Sequence, residues 1–496
     1  MEGRAVSAST EIPGSAAAGS ATTVAGGAAA PSAADPRRWW GLVAVSLATF
    51  MTYLDNNVVN VALPTIQREL HLSVSGLEWV VSSYLLTLGG LLLVGGRLAD
   101  VYGRRRLFMI GLAMFTLSSL AAGLAGSGSV LIASRAVQGV GAALLMPTTL
   151  AIIMASFASA KERTTAIGIW AAIGALALGL GPVIGGLISQ HTRWGWIFLI
   201  NVPVGVLTFA LAVPFIRESR ASSAVRSLDV AGLTTSALSL FALTYALIEG
   251  HDRGWSSAVI IAAFAAAAVG AAVFITIESR IAHPMVDLKV FRVRQFTGGT
   301  GTMMIWAFGI LGIYFFTSLY LQGIAGFSPT KAGLAFVPMA LILAVSAAIA
   351  PKVEALIGAH RSVALGMAMM AAGLILIVRL GVHVGFGALM PGFLLFGAGA
   401  GLMNVPLTNA VMQATPHERA GIASALLNAS REIAGLLGIT VIGAVLRSRE
   451  AAAVRSGATP ARAFVDGYHS GLWVTIALLA VGVVLSYVTL RPHSTA

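Results

Sequence analysis

The stretch "WWGLVAVSLATFMTYLDNNVVNVALP", residues 39–64, is apolar enough to lie in a bilayer, yet it carries a carboxylate, Asp55, followed by Asn56, Asn57 and Asn60. About 20 apolar residues suffice for a helix to span the hydrocarbon core. An ionisable residue inside such a span is costly and marks a functional position by default. At about 1.5 Å of rise per residue, Asp55 lies about 24 Å along the helix from Trp39, past its middle.

The rest of the chain has the same character. It has 496 residues, 57% hydrophobic and 10% charged, against about 25% charged in ordinary soluble proteins. Its mean hydropathy is +0.87. These values imply an all-α integral membrane protein. Fourteen segments are expected to span: 39–61, 77–98, 107–125, 130–152, 164–189, 196–215, 228–248, 255–276, 296–321, 330–350, 361–380, 386–412, 420–446 and 469–490. An even number puts both ends on one side. Loops on that side hold about twice as many Lys and Arg as the others, which predicts cytoplasmic termini. The loop 447–468 runs against the rule, with Arg447, Arg449, Arg455 and Arg462.

There is no cysteine, which excludes disulfides, thiolate metal sites and a Cys nucleophile. The formal charge of +12 comes in short clusters between apolar runs, so the expected partner is the lipid surface and not nucleic acid. Residues 1–38 are rich in Ala, Gly, Ser and Thr and read as a disordered cytoplasmic tail, without the pattern of a signal peptide. The preference for Arg over Lys, with abundant Ala and Gly, suggests a GC-rich bacterial source and hence a bacterial cytoplasmic membrane.

A weak internal repeat divides the chain. "KERTTAIGIW" opens the fifth segment and "HERAGIASAL" the thirteenth, and a Gly-rich helix follows each. Two related six-helix halves, 39–216 and 296–490, are expected, with two extra helices between them over 228–276. The extra pair carries charge only at its ends, so it is expected beside the core and outside the cavity wall.

Five further stretches carry a resemblance. "GGRLADVYGRRR" (95–106) is similar to the loop between helices 2 and 3 that marks the major facilitator superfamily. "LIASRAVQGVGAA" (131–143) resembles its fourth-helix motif, and "GALALGLGPVIGG" (174–186) its antiporter motif. "LDNNVVNVALP" resembles the first-helix motif of the fourteen-helix drug:proton antiporter branch. "WGWIFLINVPVG" (194–205) and "YLQGIAGFSPTKAGLAFVPMAL" (320–341) resemble further parts of that branch. The similarity runs from Trp39 to Leu490. Asn57 and Glu78 depart from the pattern, Glu78 standing before Trp79 where the branch often has Gln.

The resemblance implies roles. Gly96, Asp100, Gly103 and Arg104 would form a cytoplasmic gate motif. Gly181, Pro182, Gly185 and Gly186, beside Gly174 and Gly179, would let the fifth helix approach the other half. Met303, Phe308, Phe316 and Tyr320 on the ninth segment would border a central cavity as apolar drug contacts, and Asn404 and Asn409 on the twelfth are similar candidates for substrate contact; by composition alone all six also read as packing residues.

The acids are read from their surroundings. Asp55 and Arg135 are expected at one depth, either neutralising each other directly or lining one water-filled cavity. Asp55 reads either as a helix-linking hydrogen-bond partner or as a site where a proton and a cationic drug compete. Glu432 lies about midway along the thirteenth segment beside Arg431, and reads as that arginine's partner, as a polar residue facing a neighbouring helix, or as a second coupling acid.

No Gly-Lys-Ser/Thr loop, HExxH or intramembrane Ser-His-Asp set is present, so neither an enzyme nor an ATP-driven pump is expected. Two halves with paired buried charges suit alternating access better than a channel. The expected function is proton-coupled export of amphipathic drugs or antibiotics, including cationic ones, by a monomer driven by the proton gradient without a cofactor. The alternative is dedicated export of one endogenous metabolite or lipid.

Overall fold

The computed structural model describes residues 36–157, 159–220, 229–281, 284, 286, 288–415 and 420–491. The expected tail falls almost wholly outside them, as does the "HER" of the internal repeat. The described residues form helices without strands, and fourteen helices are long and apolar enough to cross a membrane. They are α1 Arg38–Leu70, α2 Val74–Tyr102, α3 Arg104–Gly123, α4 Gly128–Ser156, α5 Ala160–His191, α6 Trp196–Phe215, α7 Val230–Arg253, α8 Ala258–Arg280, α9 Arg294–Ile324, α10 Pro329–Ile357, α11 Ala359–Val378, α12 Phe386–Gln413, α13 Ala420–Arg455 and α14 Pro460–Thr489.

Local chemistry sets the ends. Ser73 caps α2 by accepting from the Gly76 amide at 3.1 Å. Gly103 closes α2 at φ +117°, a conformation that side chains resist. Ser328 and Pro329 open α10 as N-cap and first-turn proline. The helices outrun the apolar segments. The predicted loop 447–468 is a short turn, because α13 continues through Arg455 and α14 begins at Pro460. Arg447, Arg449 and Arg455 therefore sit on helix. Hydropathy marks the lipid-facing length, whereas a helix runs until a cap or glycine stops it.

The packing repeats. In the first bundle α1 packs on α5 and α6, α4 on α2 and α3, and α3 on α6. In the second, α9 packs on α13 and α14, α12 on α10 and α11, and α11 on α14. Each pair recurs eight helices later, as two six-helix bundles separated by two inserted helices require. The seam between bundles is also symmetric: α2 lies on α13, and α5 on α10.

The inserted pair does not lie simply to one side. The helix α8 packs on α7 and is mostly exposed, but α7 packs on both α2 and α13 and so straddles the seam. The face holding the start of α1 and the end of α14 is called the near face, the opposite one the far face. At the far face the bundles touch. Gln322 donates to the Val61 carbonyl at 2.8 Å, and the Thr330 amide donates to Gln190 at 3.1 Å.

Candidate functional site

Asp55 and Arg135 pair directly, Nη1 to Oδ2 at 2.5 Å, and neither has any exposed side-chain surface. Of the two arrangements the sequence allows, direct neutralisation is the one found. The other carboxylate oxygen accepts from Gln138 at 2.8 Å and from Asn201 at 3.0 Å. Ser119 ties these two amides together, at 2.6 and 3.1 Å. Helices α1, α3, α4 and α6 thus converge on one carboxylate, and a buried charge is tolerable because it is paired and fully hydrogen-bonded.

Arg135 has further partners. It donates to Gln138 Oε1 at 2.7 Å and to the Val80 carbonyl at 3.2 Å. Its guanidinium carbon lies 4.2 Å from the Tyr84 ring centre and 5.5 Å from that of Phe198. Such stacking is strongest where water is excluded. Nη2 is buried without a hydrogen-bond partner among the described residues. Arg135 therefore keeps three kinds of partner if the charge on Asp55 is lost.

Glu432 is buried at the seam, where its Cβ backs onto Gly89 of α2. Its Oε1 accepts from Arg431 at 2.8 Å. Tyr53, on Asp55's helix, lies in electrostatic reach of Arg431, and Tyr84 lies in reach of both Asp55 and Glu432. Tyr84 stands on α2, the helix that packs on Glu432's helix α13.

The near-face motif acts within the first bundle. Arg104 donates to Asp100 at 3.0 Å and to the Ala151 carbonyl of α4 at 3.4 Å. The Glu218 carboxylate caps α3, accepting from the amides of Arg105 and Arg106 at 3.1 Å each. That carboxylate lies where a Cβ on Gly103 would stand, 2.6 Å away. The tight helix contact falls to Gly95, packed on Ala143 of α4; Gly96 has ordinary room beside Pro147.

The glycines of α5 divide between two neighbours. Gly181 and Gly185 pack on Asn57 and Val58 of α1, while Gly186 meets Pro329 of α10 and Pro182 meets Gly333. Only the latter two serve the seam. Gly174 has ordinary contacts, and Gly179 faces open space.

The proposed cavity residues also divide. Tyr320 is buried in the second bundle, donating to the Gly381 carbonyl at 2.6 Å and stacking on Tyr468 at 5.2 Å. Met303 and Phe308 are buried there, and Phe316 packs against Gly443 at the seam. Asn404 is partly exposed and Asn409 exposed.

Sequence reasoning missed Ser119, Gln138 and Asn201 as a set, although the quoted motifs contain the last two. It also missed a second buried pair, Glu78 of α2 with Arg447 of α13. Both residues had stood out, Glu78 as a departure and Arg447 as an arginine on the unexpected side. No group of three or more potential metal ligands occurs among the described residues.

The sequence profile of the Major Facilitator Superfamily matches residues 45–439. The multidrug resistance protein Stp of Mycobacterium tuberculosis (strain CDC 1551 / Oshkosh) is 38% identical over 407 residues, covering 82% of this chain and 75% of that protein. The puromycin resistance protein pur8 of Streptomyces alboniger is 36% identical over 456 residues, covering 91% and 90%. Among solved structures, a bacterial homologue of the human lysosomal transporter Spinster, inward-facing and unoccupied, superposes with a TM-score of 0.65 at 16% identity, covering 92% of this chain and 98% of that one. With fourteen spans and relatives named for drug and antibiotic resistance, the chain belongs to the drug-efflux branch of the major facilitator superfamily, a family of transporters and not of enzymes.

Proposed function

We propose that the protein is a proton-coupled antiporter that exports amphipathic drugs or antibiotics, including cationic ones, across a bacterial cytoplasmic membrane. It works as a monomer, with the near face and both termini in the cytoplasm. The observation that carries this reading is the sealed Asp55–Arg135 pair with its alternative partners. A proton on Asp55 removes the attraction to Arg135, whose charge is then held by Gln138, the Val80 carbonyl and the Tyr84 face. Tyr84 belongs to α2, which packs on α13 of the second bundle, so the change is felt across the seam. Loss of one charge in a desolvated site shifts a two-state balance by several kcal/mol, enough to bias alternating access.

The test is uptake of a fluorescent lipophilic cation into proteoliposomes under an imposed pH gradient, wild type against Asp55→Asn. The variant should fold and bind the cation but lose gradient-driven accumulation. Undiminished accumulation removes Asp55 from the coupling step.

A further inference from the structure

The pair Glu78–Arg447 takes no part in the mechanism above. Glu78 belongs to the first bundle and is fully buried; Arg447 belongs to the second and is nearly so. Arg447 also donates to the carbonyls of Ile248 at 3.0 Å and Leu247 at 3.4 Å, near the far end of α7. Around it, Trp79 donates to Glu249 at 3.0 Å and Ser75 to Asp252 at 2.7 Å. Both bundles and α7 therefore meet at one ion pair, close to the far face. Gly443, one turn before Arg447, packs on the Glu78 carboxylate and leaves no room for a Cβ.

Two features distinguish the pair from a permanent tie. Glu78 Oε2 is buried without a hydrogen-bond partner among the described residues, whereas Asp55 has donors on both oxygens. A buried ion pair adds net stability only when such remaining groups are satisfied. Arg447 also forms part of the wall of a far-face recess of about 440 Å³, beside Ser75, His251, Asp252, Glu450 and Arg455. The recess thus reaches the Arg447 side of the pair from the far face, while Glu78 lies sealed behind it.

We propose that Glu78 and Arg447 form the far-face gate, clasped by α7, and that Glu78 takes a proton from the far side when the gate opens. The proposal rests on the exporter reading for the alternation of faces, but not on Asp55 as proton carrier. When the bundles part, Arg447 leaves with α13 and keeps Glu450 as a charged neighbour. Glu78 stays on α2 facing Glu249 and Asp252 of α7, of which Glu249 is already paired with Arg253 at 3.2 Å. A carboxylate without a cation in an apolar seam is costly, and one bound proton removes that cost. The proton leaves when Arg447 returns. Acid on the far side therefore favours the far-open state.

The cysteine-free chain allows a direct test in lipid nanodiscs. Ser82→Cys places a thiol one turn deeper on Glu78's side of α2, at a fully buried position. Ser456→Cys, on the exposed turn before α14, corrects for thiol chemistry at each pH. The labelling rate of Ser82→Cys by a water-soluble maleimide, relative to that reference, should rise as the medium is acidified. Adding Glu78→Gln should raise it on the order of tenfold at neutral pH and flatten its pH profile. Adding Glu78→Asp, which keeps a titrating group, should retain a pH dependence with a displaced midpoint; a purely structural role would not move that midpoint. A parent profile without pH dependence, or a Glu78→Gln or Glu78→Asp profile that copies the parent's, overturns the proposal. Gradient-driven drug uptake is read separately, so a failure of Asp55→Asn to disrupt it leaves this outcome intact.

Discussion

The guanidinium carbon of Arg135 lies 4.2 Å from the ring centre of Tyr84, which places α4's buried cation on the face of a side chain of α2, the helix that packs on α13. The hydroxyl is not needed for that stacking; the ring is. Tyr84→Phe should keep most export activity. Tyr84→Leu should lose on the order of tenfold in transport rate, since a desolvated cation–π contact contributes about 2 kcal/mol. Equal activities in proteoliposomes would show that the ring does not hold Arg135.

Gln138 donates to both Asp55 and Ser119. Gln138→Leu leaves a buried carboxylate short of a donor and should destabilise the protein by about 1–3 kcal/mol. Thermal unfolding in detergent gives the check. Ser119→Ala removes only a tie between the two amides and should cost less. The opposite ranking would mean that Ser119, rather than Gln138, organises the cluster.

At the near face, Gly103 is held at φ +117° against the Glu218 carboxylate. Gly103→Ala combines backbone strain with a clash and should lower the yield of folded protein. Asp100→Ala releases Arg104 from an exposed partner and should leave yield nearly unchanged while slowing turnover, with drug binding retained. Binding and turnover falling together in Asp100→Ala would indicate misfolding instead.

Single cysteines along α8 should resist water-soluble thiol reagents and show no protection by drug, because that helix packs mainly on α7 and is otherwise mostly exposed. A run of reactive, drug-protected positions at helical spacing would place α8 on the transport path.

Fourteen apolar runs were readable because lipid demands them. Helix ends were less readable, as Arg447 and Arg455 on α13 show. The depth of Asp55 and Arg135 could be counted from the helix rise, and that brought them together on paper. Ser119 and Asn201 escaped notice because neutral polar residues are common in membrane helices, and only the packing of α3 against α6 brings them within hydrogen-bond distance of each other. Glu78 and Arg447 each broke a pattern, but no one-dimensional rule joins residues on opposite bundles. The α7 carbonyls that hold Arg447 carry no side-chain signal at all.

The two buried acids also differ in when their partners are made. Every partner of Asp55 lies on α1 to α6, so the first bundle can neutralise that carboxylate before the second bundle is synthesised. Glu78 must wait for an arginine 369 residues downstream. At bacterial elongation rates of about 5–20 residues per second, the delay is roughly 20–70 seconds. Through that interval the newly inserted α2 holds an unmatched carboxylate near the far membrane surface. A truncated or stalled chain never gains that partner, and so exposes to the cell's membrane quality control an ionisable group that the finished protein conceals.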